Sequence, residues 1–139
     1  MTQQTDGTRT HAIGRIEVQT YDDRAYDEPG EGPTLHLITV TESFHGDIEA
    51  DGRVQFLQVV RPDKSASFVG IERVVGTLAR RRGSFVLQDQ GTLEGSTVQG
   101  TWFVVPGSGT GELTGLRGEG GFTAELGQHA QITLDYWFE

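Results

Sequence analysis

The sequence predicts an all-β protein, a single antiparallel up-and-down β-barrel of about eight strands. Three observations carry this. Apolar residues recur with period two through nearly every apolar stretch, no window sustains the i, i+3, i+4, i+7 spacing of a helix, and 20 of the 139 residues are glycine, about twice the roughly 7% of ordinary usage. Sequential hairpins joined by short turns imply antiparallel pairing, and closure removes the edges an open sheet would leave exposed. A sandwich is the alternative architecture. The length suits one domain, assigned to residues 11–139, behind a polar tail over residues 1–10 that is expected to be disordered.

The elements follow in order. His11 to Thr20 alternates, with Ala12, Ile16 and Val18 on one side and Arg15, Glu17 and Gln19 on the other. The acidic stretch from Tyr21 to Gly30 is expected to be a loop or lid. Thr34 to Ile48 and Arg53 to Arg61 form a pair around a turn at Glu49-Ala50-Asp51-Gly52, whose acidic-then-Gly chemistry suits a hairpin. Pro62-Asp63-Lys64 makes the next turn. Ser67 to Leu78 and Ser84 to Thr92 pair around the tip Arg80-Arg81-Arg82-Gly83, Thr97 to Val105 stops at Pro106, and Gly121 to Leu126 pairs with Ala130 to Phe138. Gly70, Gly76 and Gly100 fall inside strands, where a missing side chain marks a bulge, tight coiling or room for a ligand.

Charge and composition exclude several function classes. With 11 basic against 20 acidic residues the net charge is −9, so nucleic acid is a poor partner, and the one arginine run reads as a solvated hairpin tip. There is no Cys, hence no disulfide and no thiolate site. No segment approaches the ~18 apolar residues of a membrane span, so a cytoplasmic protein without a membrane partner is expected. The Gly-rich Pro106-to-Leu113 segment lacks the Gly-Lys-Ser/Thr of a phosphate-binding loop and is expected to be a flexible connection. No cofactor is implied. The four histidines, His11, His36, His45 and His129, show no metal-ligand spacing, so no metal is assigned. A small-molecule ligand and a homo-oligomeric interface remain as partners.

The candidate site rests on register. Pairing Leu78 with Phe85 places Phe68, Gly70, Glu72, Val74, Gly76, Leu78, Phe85, Leu87 and Asp89 on one face, with Glu72 and Asp89 as diagonal neighbours within roughly 7–8 Å. Burial among apolar residues raises a carboxyl pKa, so one acid stays protonated as a general acid while a better solvated partner serves as base. The competing reading pairs Glu72 with a structural Arg or turns it to solvent. His36 shares a face with Ile38, Val40, Glu42 and Phe44, and across the expected turn with Leu57 and Val59. It is a catalytic candidate with Glu42 as its orienter, or else a satisfied structural hydrogen bond. Trp102 is either core filler or a cavity wall. In the last hairpin Leu126 faces Ala130, Ala124 faces Ile132 and Phe122 faces Leu134, extending one apolar face to Tyr136 and Phe138.

The runs Ser67-Phe68-Val69-Gly70-Ile71-Glu72-Arg73-Val74-Val75-Gly76-Thr77-Leu78, Gly83-Ser84-Phe85-Val86-Leu87-Gln88 and Val105-Pro106-Gly107-Ser108-Gly109-Thr110-Gly111-Glu112-Leu113-Thr114-Gly115-Leu116 resemble a bacterial family known only as a domain of unknown function. The resemblance covers nearly the whole chain after the first ten residues. It implies an allene oxide cyclase-like, calycin-related barrel, and His45-Gly46-Asp47-Ile48 is similar to that wider group. After Leu87-Gln88 the family pattern places His, whereas this chain has Asp89, which implies altered or lost chemistry if the family site uses that His. Barrels of this type hold unsaturated apolar molecules and steer cyclisation without a cofactor. The resemblance therefore implies a cyclase, isomerase or lyase acting on an unsaturated apolar molecule such as a polyketide-type natural-product intermediate. Glu72, Asp89 and His36 would be catalytic, and Phe68, Phe85, Leu87, Trp102, Tyr136 and Glu42 would contact substrate. A non-catalytic binding barrel and a fully packed barrel working through an oligomer interface are the alternatives.

Overall fold

The structure is a computed structural model that describes residues 8–139. The strands are β1 (Thr10–Asp27), β2 (Thr34–Gly46), β3 (Ile48–Val60), β4 (Ala66–Leu78), β5 (Arg81–Glu94), β6 (Thr97–Val104), β7 (Leu116–Glu125) and β8 (Ala130–Phe138). Each pairs antiparallel with its sequence neighbour, and β8 returns to β1 to close the barrel. The expected all-β, eight-stranded, up-and-down architecture is the one observed. Residues 1–7 of the expected tail lie outside the described residues. Arg9 already packs on the domain, bonded to Glu119 at 2.8 Å and stacked over Trp137 at 4.2 Å.

Five local expectations are corrected. The acidic stretch Tyr21–Asp27 is strand, not loop: β1 continues against β2 from Thr20↔Thr41 to Asp27↔Leu35, with irregularities at Val18/Thr20 and Ala25/Asp27. Its acids stay exposed, so the strand gains backbone hydrogen bonds without desolvating a carboxylate. The β2–β3 turn sits at Gly46-Asp47 rather than Glu49–Gly52. Gly46 there adopts φ 119°, and its N–H donates to the Glu49 carboxylate at 2.7 Å. The observed pairing, Phe44↔Ala50 and His36↔Gln58, reverses the parity of β3. Leu57 and Val59 therefore face outward and half-exposed, while Val54, Phe56 and Gln58 share the inner face with His36.

The arginine-tipped hairpin turns on Ala79-Arg80, both at positive φ (48° and 73°), so Leu78 pairs with Arg81 and Gly83 lies within β5. The slip from the expected pairing is even and leaves every side chain on its expected face. The last hairpin slips likewise, with Phe122 opposite Ile132 and Leu126 left exposed.

The Gly-rich segment after β6 is a packed piece of the wall. Beyond Val86 the edge of β5 is taken over by this segment. Thr110 N–H donates to the Ser84 carbonyl at 2.9 Å, Ser108 Oγ accepts from Val86 N–H at 3.0 Å, and Glu112 accepts from Arg82 N–H at 2.9 Å. A short 3-10 turn, Gly111–Leu113, buries Leu113 completely. A β-carbon at Gly83 would collide with the Thr110 carbonyl, a backbone atom with little freedom to yield. Gly83→Ala is therefore expected to destabilise the fold by about 1–3 kcal/mol, read as a lower urea midpoint at unchanged slope. A midpoint equal to wild type would mean that the segment is loosely held.

The lower barrel is filled by Phe44, Ile48, Val74, Leu78, Phe85, Val104, Leu116, Ile132 and Leu134, a continuous apolar core. A smaller cluster of Ile38, Val40 and Val54, with Phe56 against it, lies along the upper parts of β2 and β3. Between these clusters the interior contains three acids, Glu42, Glu72 and Asp89, the buried charged residues of the described chain.

Candidate functional site

The inner-facing residues form rows that can be followed across the strands. The upper row runs His36, Gln58, Phe68, Gly91, Gly100 and Phe122 from β2 to β7. The next runs Ile38, Phe56, Gly70, Asp89, Trp102 and Gly120, and below it lie Val40, Val54, Glu72, Leu87 and Val104. The row beneath starts Glu42, Gly52, Val74 and Phe85. The three acids thus occupy three successive rows on β5, β4 and β2.

Glu72 and Asp89 are diagonal neighbours, because Glu72 stands opposite Leu87 and Asp89 opposite Gly70. They are only 1% and 3% exposed, and one oxygen of each, Glu72 Oε2 and Asp89 Oδ1, has no hydrogen-bond partner. No Arg or Lys is buried with them, so the structural pairing with arginine is absent among the described residues. Burial pushes the Glu72 carboxyl well above its usual range, reinforced by its hydrogen bond to Glu42 and by the negative charges of Glu42 and Asp89. Asp89 is pushed up to about 7, first by burial and then by the charge of Glu42. Glu42 is also raised by burial, against the opposing effect of the hydrogen bond from Glu72. The consistent assignment is a neutral Glu72 donating to an ionised Glu42, with Asp89 near its midpoint at neutral pH. A carboxyl poised near 7 can give and take a proton with comparable ease.

Glycines seat these groups. A β-carbon at Gly52 would strike the Glu72 carboxyl and the Phe44 ring, and one at Gly70 would lie 2.6 Å from Phe56 and 2.7 Å from Asp89 Oδ1. Phe68 covers Gly91 and Phe122 covers Gly100 in the same way. The side-chain space freed by Gly70 and Gly100 is thus occupied by neighbouring rings and acids, not left open for a ligand. Above the acids the rings form a continuous layer: Phe56 meets Phe68 edge-on at 5.2 Å, Phe68 stacks on Phe122 at 6.2 Å, and Phe122 contacts Trp102 at 5.1 Å. Trp102 is fixed by donating Nε1–H to the Thr133 carbonyl at 3.0 Å. A groove of about 820 Å³ opens at the upper rim, reaching Tyr26, Leu35, Gln58, Phe68, Gly91 and Phe122. A smaller one of about 530 Å³ on the wall touches Asp89, Trp102 and Phe103.

The expected site residues separate into groups. Glu42, Glu72 and Asp89 converge, and Phe68, Leu87 and Trp102 surround them. Phe85, one inner position below Leu87, is packed in the lower core. Tyr136, against Phe138 at 6.1 Å, lies at the far end of the barrel. Glu42 does not orient His36, being three inner positions further along β2 and bonded to Glu72. The imidazole instead meets Asp23 Oδ1 at 2.6 Å through Nδ1 and Thr34 Oγ1 at 3.0 Å through Nε2. Asp23, Thr34, Gln58 and Phe122 are additions to the site; the first was hidden in the stretch expected to be a loop. The described residues contain no group of three His, Asp or Glu placed to hold a metal ion, and no helix long and apolar enough to cross a membrane.

The fold and its interior define a closed, eight-stranded antiparallel barrel with an acidic centre beneath an aromatic layer. Residues 12–136 match the family model described as protein of unknown function (DUF3224), and the chain belongs to this family. It is also similar to a crystal structure of a DUF3224 protein with unknown function from Shewanella oneidensis MR-1, at 34% identity over 95% of this chain and 99% of that one, with a TM-score of 0.81. No curated protein matches the chain.

Proposed function

We propose that the barrel is a cofactor-independent acid–base catalyst that takes a small, largely apolar, unsaturated molecule through its aromatic rim. Asp89 moves the proton and the Glu72–Glu42 pair sets its charge state. The observation that carries this reading is the pair of buried, unpartnered carboxyl oxygens on Glu72 and Asp89. Leaving such groups unpaired costs stability, and a strongly shifted acid lining a groove, as Asp89 does, is a candidate for a functional site. Resemblance to allene oxide cyclase-like barrels supports an apolar ligand, and the wide ring surface of Phe68, Phe122 and Trp102 suits a conjugated one. The absence of cysteine goes with a cytoplasmic setting.

The simplest reaction is a double-bond shift. Asp89 as carboxylate removes the proton between a carbonyl and an isolated double bond, then returns it at the far carbon, leaving the conjugated ketone and the original carboxylate. A suitable probe is 3-cyclohexenone, whose conversion to 2-cyclohexenone is followed by ultraviolet absorbance. The wild type is expected to accelerate the shift, with Asp89→Asn slower by ~100-fold or more. Equal rates for wild type and Asp89→Asn would remove Asp89 from the reaction. Saturable quenching of tryptophan fluorescence by retinol, an uncharged polyene, without turnover of the ketone would favour the non-catalytic binding barrel.

A further inference from the structure

The upper rim carries a second constellation that the acid–base reading leaves unused. Thr34 and His36, two residues apart on β2, flank the rim residue Leu35, and Asp23 reaches the imidazole from β1. The order is carboxylate, Nδ1, Nε2, hydroxyl, at 2.6 Å and 3.0 Å. With Nδ1–H donated to Asp23, Nε2 accepts the Thr34 hydroxyl proton, the arrangement in which a base oriented by a third group activates a nucleophile. The His36 side chain is 19% exposed and that of Asp23 37%, so the relay is partly sheltered yet reachable from solvent. Gln58 stands directly opposite His36 and lines the rim groove, where its side-chain amide can donate to a developing oxyanion. The apolar share of this groove, Tyr26, Leu35 and Phe68, suits an acyl chain better than a charged group, and the net charge of −9 disfavours anionic acids.

We propose that Thr34, His36 and Asp23 form a nucleophilic centre at the barrel rim that accepts acyl groups from small, uncharged esters. Thr34 Oγ1 bonds to the ester carbonyl carbon while Nε2 of His36 takes the hydroxyl proton. The ester C–O bond then breaks and Nε2 returns that proton to the leaving alcohol. Water attacks the acyl-threonine by the same route, releasing the carboxylic acid and restoring Thr34. Asp23 acts through His36 as a positioning residue.

The test uses the full chain and p-nitrophenyl butyrate, followed by release of p-nitrophenol, together with peptide mass mapping after treatment with an alkyl fluorophosphonate. The expected result is a burst of about one p-nitrophenol per chain and an adduct on the peptide containing Thr34. Thr34→Val, nearly isosteric, should lose both, and His36→Gln should slow the burst by ~100-fold or more while leaving the circular dichroism spectrum unchanged. Asp89→Asn should retain both, which separates this centre from the interior acids. Absence of an adduct on Thr34, or an adduct formed equally fast in His36→Gln, overturns the proposal.

Discussion

The folded state is expected to lose stability as the pH rises from about 4 to about 7, the reverse of the trend for proteins stabilised by paired carboxylates. Asp89 ionises near its ordinary value of 3.8 in the unfolded chain and at about 7 in the barrel. Between those values the folded state binds more protons, so the stability associated with the neutral acid is fully present below the unfolded pKa and is lost as pH climbs through the folded one. A gap of roughly three units at 1.36 kcal/mol each amounts to about 4 kcal/mol for this residue alone. Glu72, raised well above its usual range chiefly by burial, adds a loss of the same sign. At the acid end, Glu49 and Asp63 have carboxyls held low, chiefly by the Gly46 amide and by Ser65 respectively, and protonating them removes stability below about pH 4. The optimum therefore falls at about pH 4. Urea unfolding at pH 4.5, 6, 7.5 and 8.5 measures this, and Asp89→Asn should flatten the curve between pH 4.5 and 7.5 and be the more stable protein at 7.5. A wild-type curve that rises over this interval would show that the interior acids are hydrated or paired in solution.

The diagonal relation of Glu72 and Asp89 was legible in the sequence for a reason that also shows where legibility ends. The hairpin register was displaced by an even number of positions, so Asp89 moved from one diagonal of Glu72 to the other without leaving the inner face. In β2–β3 the expected turn was wrong by an odd offset. An odd offset exchanges the two faces, so the neighbour of His36 is Gln58 rather than Leu57, and Gly52 lies within the strand rather than in the turn. Composition misled at β1: a run of Asp and Glu reads as loop, but a strand whose side chains all reach water pays no desolvation, and Asp23 was lost with it. The convergence of Glu42 with Glu72 joins non-adjacent strands. Hairpin patterns do not encode such contacts, which depend on barrel closure and strand tilt.

Gly52 offers the sharpest test of how the acidic centre is seated. Its position on β3, level with Glu42 and Val74, leaves room for the Glu72 carboxyl beside the Phe44 ring. Gly52→Ala would force that carboxyl, itself 1% exposed, against neighbours that are buried in turn. A destabilisation of about 2–4 kcal/mol is expected, at the upper end of overpacking costs because a polar group is displaced from its one partner, Glu42. Shortening the acid removes the collision: in Gly52→Ala/Glu72→Ala the alanine methyl enters space that the longer side chain has vacated. The double-mutant cycle should therefore show a coupling of more than about 1 kcal/mol, with the double variant more stable than the sum of the single effects predicts. Additive effects would mean that the Glu72 carboxyl does not rest over Gly52, and the proton arrangement of Glu42, Glu72 and Asp89 would have to be redrawn. Because the cycle is read from stability, it reports on the seat of the acid whether or not the barrel turns over any substrate.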